Sequence, residues 1–199
     1  MIKKGFTFVE TLVVISIFSL ILPIILSILF IILQQQLRIN SLTEVKRQGD
    51  FIADYLQNTI SDNAYTIYDT NGTEICEVNS IDSYPHFSSP MPSILFRDKF
   101  NSEFSINYSA PNLSIDYSSP PVAPAPTLAF AQGQLNSPKV IIDTFSISCN
   151  RQSSFSAPLV SLNFRICYNI SGSCSFSDPQ KVVSLDYQTN IKLRSFPTE

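Results

Sequence analysis

The chain has 199 residues, a formal net charge of −3, 44% hydrophobic residues and only 15% charged residues. This length predicts one domain, or at most two, with enough apolar content for a core, and the mildly acidic balance indicates no nucleic-acid-binding surface. Five Gly against thirteen Pro speak against a Gly-rich phosphate-binding fold, and a single His with four Cys leaves few residues for metal or nucleophilic chemistry.

The first predicted element is a long apolar helix near the N-terminus. Residues 6–33 include a single charged side chain, Glu10. These about 28 residues extend roughly 42 Å as a helix, whereas about 20 residues suffice to span a bilayer. A cleaved secretory signal is disfavoured because the run is too long and is followed by Gln34 without an A-x-A site. An ordinary signal anchor is the simpler alternative, with Lys3 and Lys4 keeping the N-terminus in the cytoplasm.

Glu10 is the residue that an ordinary anchor does not explain. A carboxylate in a membrane helix costs about 2.5–3.5 kcal/mol near the bilayer centre and marks function by default. Two lysines, Gly5, Phe6 and a glutamate four residues further on resemble the type IV prepilin signal. In that family a membrane-embedded prepilin peptidase cuts after the glycine and methylates the new N-terminal residue. The resemblance implies cleavage between Gly5 and Phe6, N-methylation of Phe6, and a Glu10 carboxylate that pairs with a neighbouring subunit's amine during assembly.

The helical pattern continues beyond the apolar run. An apolar stripe recurs at steps of three, four or seven residues, formed by Leu42, Val45, Ile52, Leu56 and Ile60. We therefore predict one helix from residue 6 to about residue 63, whose outer half needs a sheet to cover its stripe. A homomeric coiled coil is the alternative, but the repeat is too short and irregular to favour it.

The rest of the chain is predicted to be rich in β-strands. Apolar and polar residues alternate in 160–170 and 183–193, which is typical of half-buried antiparallel strands. Shorter candidates are 94–97, 103–108 and 113–117, and a Thr-Asn-Gly turn between 65–69 and 73–78 predicts a hairpin. The expected fold class is α+β, with a long N-terminal transmembrane and amphipathic helix packed on a C-terminal antiparallel β-sheet head. The resemblance implies the same layout, because it is that of pilins.

All four cysteines follow the predicted span. An even number in an exported domain favours disulfides, and a zinc site is the less favoured alternative because there is no C-x-x-C and His86 is distant in sequence. The short, turn-like segment between Cys167 and Cys174 makes their pairing the first choice. The pairing of Cys76 with Cys149 then follows by elimination only, and free buried thiols stay open as a third state.

The sequence offers no recognisable catalytic motif. It lacks G-x-S-x-G, H-E-x-x-H and P-loop patterns, so we expect no enzyme activity, no cofactor and no metal. The resemblance implies a minor pilin or minor pseudopilin with a cleaved leader, a transmembrane assembly helix, an amphipathic continuation and an extracytoplasmic β-rich head. These four segments are residues 1–5, 6–33, 34–63 and 64–199.

The same resemblance implies location and partners. The expected location is the bacterial inner membrane, single-pass, with a cytoplasmic N-terminus, followed by a cell-surface or periplasm-spanning filament. The expected partners are prepilin peptidase, other pilin or pseudopilin subunits, the inner-membrane assembly platform and the lipid bilayer, with no nucleic acid indicated. Two alternatives are a bitopic protein that never polymerises and binds a ligand or the cell wall, and a DNA-uptake pseudopilin.

Overall fold

The computed structural model describes residues 7–68, 76, 81–84, 94–98, 102–117, 133–150, 156–169, 172, 174 and 183–193. Side chains are described for all of these residues except 81–84, for which only the backbone is described.

One long helix precedes all the strands. Helix α1 is Phe8–Asn63, and its C-terminal end coincides with the predicted one. The strands of the described residues are β1 (Thr66–Tyr68), β2 (Ile81–Tyr84), β3 (Ile94–Arg97), β4 (Glu103–Ser109), β5 (Asn112–Tyr117), β6 (Gly133–Gln134), β7 (Val140–Asn150), β8 (Leu159–Tyr168) and β9 (Ser184–Lys192). The chain divides into two compact units, of which one ends at Asn40 and the other begins at Ser41.

The first unit is the apolar part of α1. Pro23 lies inside the helix without ending it. The hydroxyls of Thr11, Ser16 and Ser27 each donate to the carbonyl three residues earlier, at 2.8–2.9 Å. These few polar side chains are thus satisfied within the helix, as an apolar surrounding requires.

The second unit begins with the remainder of α1, which has one buried face. Val45, Ile52, Leu56 and Ile60 are fully buried, and they share one core with inward-facing residues of the strands. The predicted stripe is therefore correct at these four positions. It is wrong at Leu42, which is 42% exposed and lies outside that core.

The strands form two antiparallel sheets. One has the order β1-β3-β4-β5-β6 and the other β2-β7-β8-β9. The α+β layout, one long apolar N-terminal helix with antiparallel sheets, agrees with the predicted class. The described neighbour of β1 is β3, while the second arm of the predicted hairpin, 73–78, lies outside the described residues except for Cys76.

The longest strand, β7, was absent from the sequence-based prediction. Its pairing with β8 shifts register between Ile142 and Thr144, which is a β-bulge. Before the bulge Val140, Ile141 and Ile142 are all buried, and after it the buried positions alternate at Phe145, Ile147 and Cys149. The strand therefore begins with a continuous buried run and alternates only after the bulge, so it does not form one period-2 pattern.

Polar groups tie the two sheets together. The Tyr108 hydroxyl on β4 donates to the Asp143 carbonyl on β7 at 2.7 Å. The buried Asn136 carboxamide accepts from the Leu113 amide at 2.9 Å and donates to the Val140 carbonyl at 3.1 Å. These bonds join β5 to β7 through a buried side chain, so Asn136 contributes to the packing of the two sheets.

Candidate functional site

The N-terminus of α1 holds Glu10 in a local hydrogen-bond arrangement. The backbone amide and the hydroxyl of Thr7 donate to Glu10 Oε2 at 2.9 and 3.0 Å. The Glu10 amide in turn approaches the Thr7 hydroxyl at 3.4 Å. This reciprocal pattern is a capping box, which satisfies amides that a helix start would leave unpaired. Sequence reasoning missed the role of Thr7, although the spacing T-x-x-E is its signal.

The other two residues of the predicted processing site are not described. Gly5 and Phe6 lie outside the described residues, so their cleavage and methylation stay predictions. Glu10 itself is exposed on a helix whose surrounding side chains are apolar. The capping box uses only Oε2, and among the described residues no donor binds Oε1. One carboxylate oxygen is therefore available to a donor from another molecule.

The apolar surface of the N-terminal part of α1, as far as Leu42, is uncovered. One window of the helix reaches a mean hydropathy of 3.0 and is 0% buried, so the helix is long and apolar enough to cross a membrane by length and composition. Its large apolar side chains are exposed from Phe8 onward, and exposure continues beyond the predicted span at Leu37 (69%), Ile39 (58%) and Leu42. Such a surface needs an apolar environment or a protein partner.

The outer half of α1 is held to β9 by Tyr187. The Tyr187 ring stacks on Phe164 with centroids 5.0 Å apart, and its hydroxyl donates to Asp50 Oδ1 at 2.9 Å. The ring sits against Gly49, where a Cβ would meet ring atoms at 2.3 and 2.4 Å. Burial, and next the bond to the Asp50 carboxylate, raise the pKa of the Tyr187 phenol above its ordinary value. The absence of a side chain at Gly49 thus leaves the space that the Tyr187 ring occupies.

The cysteines form two pairs at disulfide distance. Cys76 joins Cys149 and Cys167 joins Cys174, the same pairing that the sequence favoured. The first pair links residues 73 positions apart, and the second closes a loop of seven. Near that loop Gly172 has a positive φ of 83°, and its amide donates to Asn169 Oδ1 at 2.9 Å.

The described residues contain no cluster of metal-ligating side chains. No group of three or more His, Cys, Asp or Glu among them could hold an ion, and His86 lies outside the described residues. The expectations of no cofactor and no enzyme activity stay predictions. Comparison of the chain with models of protein families, with curated proteins and with solved structures returns no match.

Proposed function

We propose that this protein is a minor structural subunit of a type IV pilus or a type II secretion-like pseudopilus. It is cut by prepilin peptidase after Gly5 and polymerises through its N-terminal helix. The observation that carries the proposal is the uncovered apolar helix with Glu10 at its start. The choice of family is based on the prepilin-like residues around Glu10. The long helix followed by antiparallel sheets is compatible with a pilin-like head.

The extent of the exposed apolar surface favours lateral packing over an isolated span. Exposed large apolar side chains run from Phe8 to Leu33, and Leu37, Ile39 and Leu42 follow singly among polar residues. The continuous stretch is about 26 residues, or roughly 39 Å of helix, whereas the hydrocarbon core of a bilayer is about 30 Å thick. Lipid covers such a helix only in part, so a protein surface is needed for the remainder. Neighbouring helices in a filament provide one.

Glu10 has a natural counter-charge in such a filament. Cleavage after Gly5 creates a cationic amine at Phe6, and a neighbour's Glu10 neutralises it in an apolar bundle where either charge alone is costly. Thr7 holds Oε2 and leaves Oε1 for that contact. The capping box and the intersubunit ion pair therefore use different oxygens of one carboxylate, and both roles are compatible.

The two cysteine pairs support an extracytoplasmic head. Disulfides persist in oxidising compartments, and both pairs lie in the unit that begins at Ser41. With the N-terminus in the cytoplasm, the chain is a single-pass inner-membrane protein before assembly. Its partners are prepilin peptidase, other pilin or pseudopilin subunits and the inner-membrane assembly platform. The head of about 136 residues is ordinary for one domain but large beside the major subunits of the family that the sequence resembles. This comparison favours a minor subunit, so quantitative mass spectrometry of sheared filaments should find low copy number.

A comparison of Glu10→Gln with Glu10→Ala tests the proposal. Glutamine can complete a capping box but carries no charge, whereas alanine cannot complete a capping box and is also uncharged. If the ion pair drives assembly, both variants lose the leader normally and both are missing from the sheared filament fraction. Immunoblots of whole cells and of sheared filaments measure the two steps. Gly5→Leu is the complementary control, which should leave an uncut precursor in the membrane.

Two results would contradict the proposed role. Glu10→Gln protein that enters filaments at the wild-type level would leave Glu10 only its capping role. A wild-type chain that keeps its leader and never enters the sheared fraction would favour the bitopic protein that does not polymerise. In that case the head acts by binding a ligand or the cell wall.

A further inference from the structure

The face of the β7-β8-β9 sheet that points away from α1 is polar. Its side chains form three cross-strand rows, because residues opposite each other in register share a face. The first row is Ser148, Ser161 and Asn190, the second is Ser146, Asn163 and Gln188, and the third is Thr144, Arg165 and Asp186.

The outer two rows are paired internally and the middle row is not. Ser161 donates to Asn190 Oδ1 at 2.6 Å, and Arg165 Nε donates to Asp186 Oδ1 at 2.7 Å. In the middle row Asn163 and Gln188 lie directly opposite each other, yet neither carboxamide has a hydrogen-bond partner among the described residues. A carboxamide has two donors and an acceptor with two lone pairs, so this row offers unused groups of both kinds.

A shallow depression lies over this middle row. It has a volume of about 270 Å³, and its polar lining includes Thr144, Ser146, Asn163, Asp186 and Gln188; these five residues are called the polar depression below. This volume falls just under the roughly 300–1,000 Å³ of drug-sized sites. It suits a ligand of one or two rings better than a long polymer segment.

The lining limits the chemistry of the occupant. Phe164 and Tyr187 also line the depression, but their rings stack together on the other side of the sheet, beside α1, so neither ring offers a ligand a stacking surface. Among its described lining residues the one carboxylate is that of Asp186, which is already paired with Arg165, so a charged ligand finds no uncompensated partner there. Hydroxyls and carboxamides that both donate and accept match an uncharged molecule rich in hydroxyl or acetamido groups.

We propose that the polar depression is a binding site for a neutral saccharide unit, held by the side chains of Ser146, Asn163 and Gln188. The site is open to solvent and lacks aromatic stacking, so binding is weak and exchange is fast. This inference is independent of the proposed filament function, because it uses only the second unit and its sheet face.

Saturation-transfer difference NMR on the full chain tests the site. The protein is held in lipid nanodiscs rather than in a maltoside detergent, because a sugar head group would compete. The probes are N,N′-diacetylchitobiose and cellobiose, with glucose 6-phosphate as a charged counterpart and glycerol as a small polyol. We expect saturable signals from at least one neutral disaccharide that exceed those from the phosphate and from glycerol.

Matched variants assign the signal to the middle row. Asn163→Ala combined with Gln188→Ala should weaken disaccharide binding by at least about fivefold, since hydrogen bonds from both carboxamides are lost. Asn190→Ala removes the same group from the same face but from a row that is already paired, and it should leave binding unchanged. Thermal unfolding of each variant confirms that the head is folded.

Several outcomes would overturn the saccharide site. They are no signal from either disaccharide, a preference for the charged sugar, unchanged binding in the double variant, or an equal loss in Asn190→Ala. Glycerol signals as strong as those of the disaccharides would mean that the depression holds an adventitious polyol only.

Discussion

Replacing Gly49 by alanine should destabilise the protein, although the intrinsic helix preference predicts the opposite. Alanine is favoured over glycine by about 1 kcal/mol inside a helix. A Cβ at this position would lie 2.3 Å from Cε2 and 2.6 Å from the hydroxyl oxygen of Tyr187. Because real Cβ atoms essentially never come within 3.0 Å of another side chain, the Tyr187 ring must move away from α1.

The size of the effect follows from what the displaced ring gives up. Stacking on Phe164 is worth about 0.5–1.5 kcal/mol. The bond from the Tyr187 hydroxyl to Asp50 is exposed, so we assign it only about 1 kcal/mol, and lost apolar burial adds about 1 kcal/mol. The loss of about 3 kcal/mol exceeds the gain of about 1 kcal/mol. We expect a net destabilisation of about 2 kcal/mol, or a fall in Tm of about 4–8 °C.

A double-mutant cycle measures this directly. Chemical unfolding of the full chain in nanodiscs, followed by far-UV circular dichroism, gives the free energy of unfolding for each variant. In the Tyr187→Ala background the clash is gone, so Gly49→Ala should become stabilising by about 1 kcal/mol. Tyr187→Phe, which keeps the ring, should cost only about 1 kcal/mol. If Gly49→Ala also stabilises the protein in the wild-type background, the packing of the Tyr187 ring against α1 does not require a glycine at position 49.

Three further results are expected. Asn136→Ala should lower the free energy of unfolding by about 2–3 kcal/mol, because it strips partners from a buried amide on β5 and a carbonyl on β7; a change under about 0.5 kcal/mol would contradict this. Burial raises the pKa of Tyr108 to about 12. The neutral phenol of Tyr108 therefore contributes fully to stability below its ordinary pKa of about 10, and this contribution is lost as the pH rises toward 12. Tyr108→Phe should remove this pH dependence from a plot of the free energy of unfolding against pH. Cys174→Ser should cost about 2–3 kcal/mol, and non-reducing peptide mapping of the wild type should link it to Cys167 rather than find two free thiols.

The sequence was sufficient for features that depend on local periodicity. The helix ends at Asn63 as predicted, because its apolar spacing stops there. Strands β3, β4, β5, β8 and β9 lie within a few residues of the predicted bounds, and the alternation is most regular in β8, where every second residue from Val160 to Tyr168 is apolar. The T-x-x-E spacing of the capping box was also present in the sequence, and the family resemblance drew attention to Glu10 alone.

Other features depend on contacts between distant residues. Strand β7 was not predicted, because its alternation begins only after the bulge at Ile142/Thr144 and no single period covers the whole strand. Leu42 shares the spacing of the buried stripe, but it is exposed. The helical spacing predicts which side of the helix a residue lies on, but it does not predict how far along the helix the sheets extend.

The amino-acid sequence by itself determined the apolar helix, the lone acid at its start and the alternating strands, because each is a pattern within one element. Only the tertiary structure decided why Gly49 belongs in α1, since the Tyr187 ring that requires it comes from β9, more than a hundred residues later. It also decided which polar row of the sheet stays open. Side-chain pairing across strands depends on register, and register is set when the strands pack against the core.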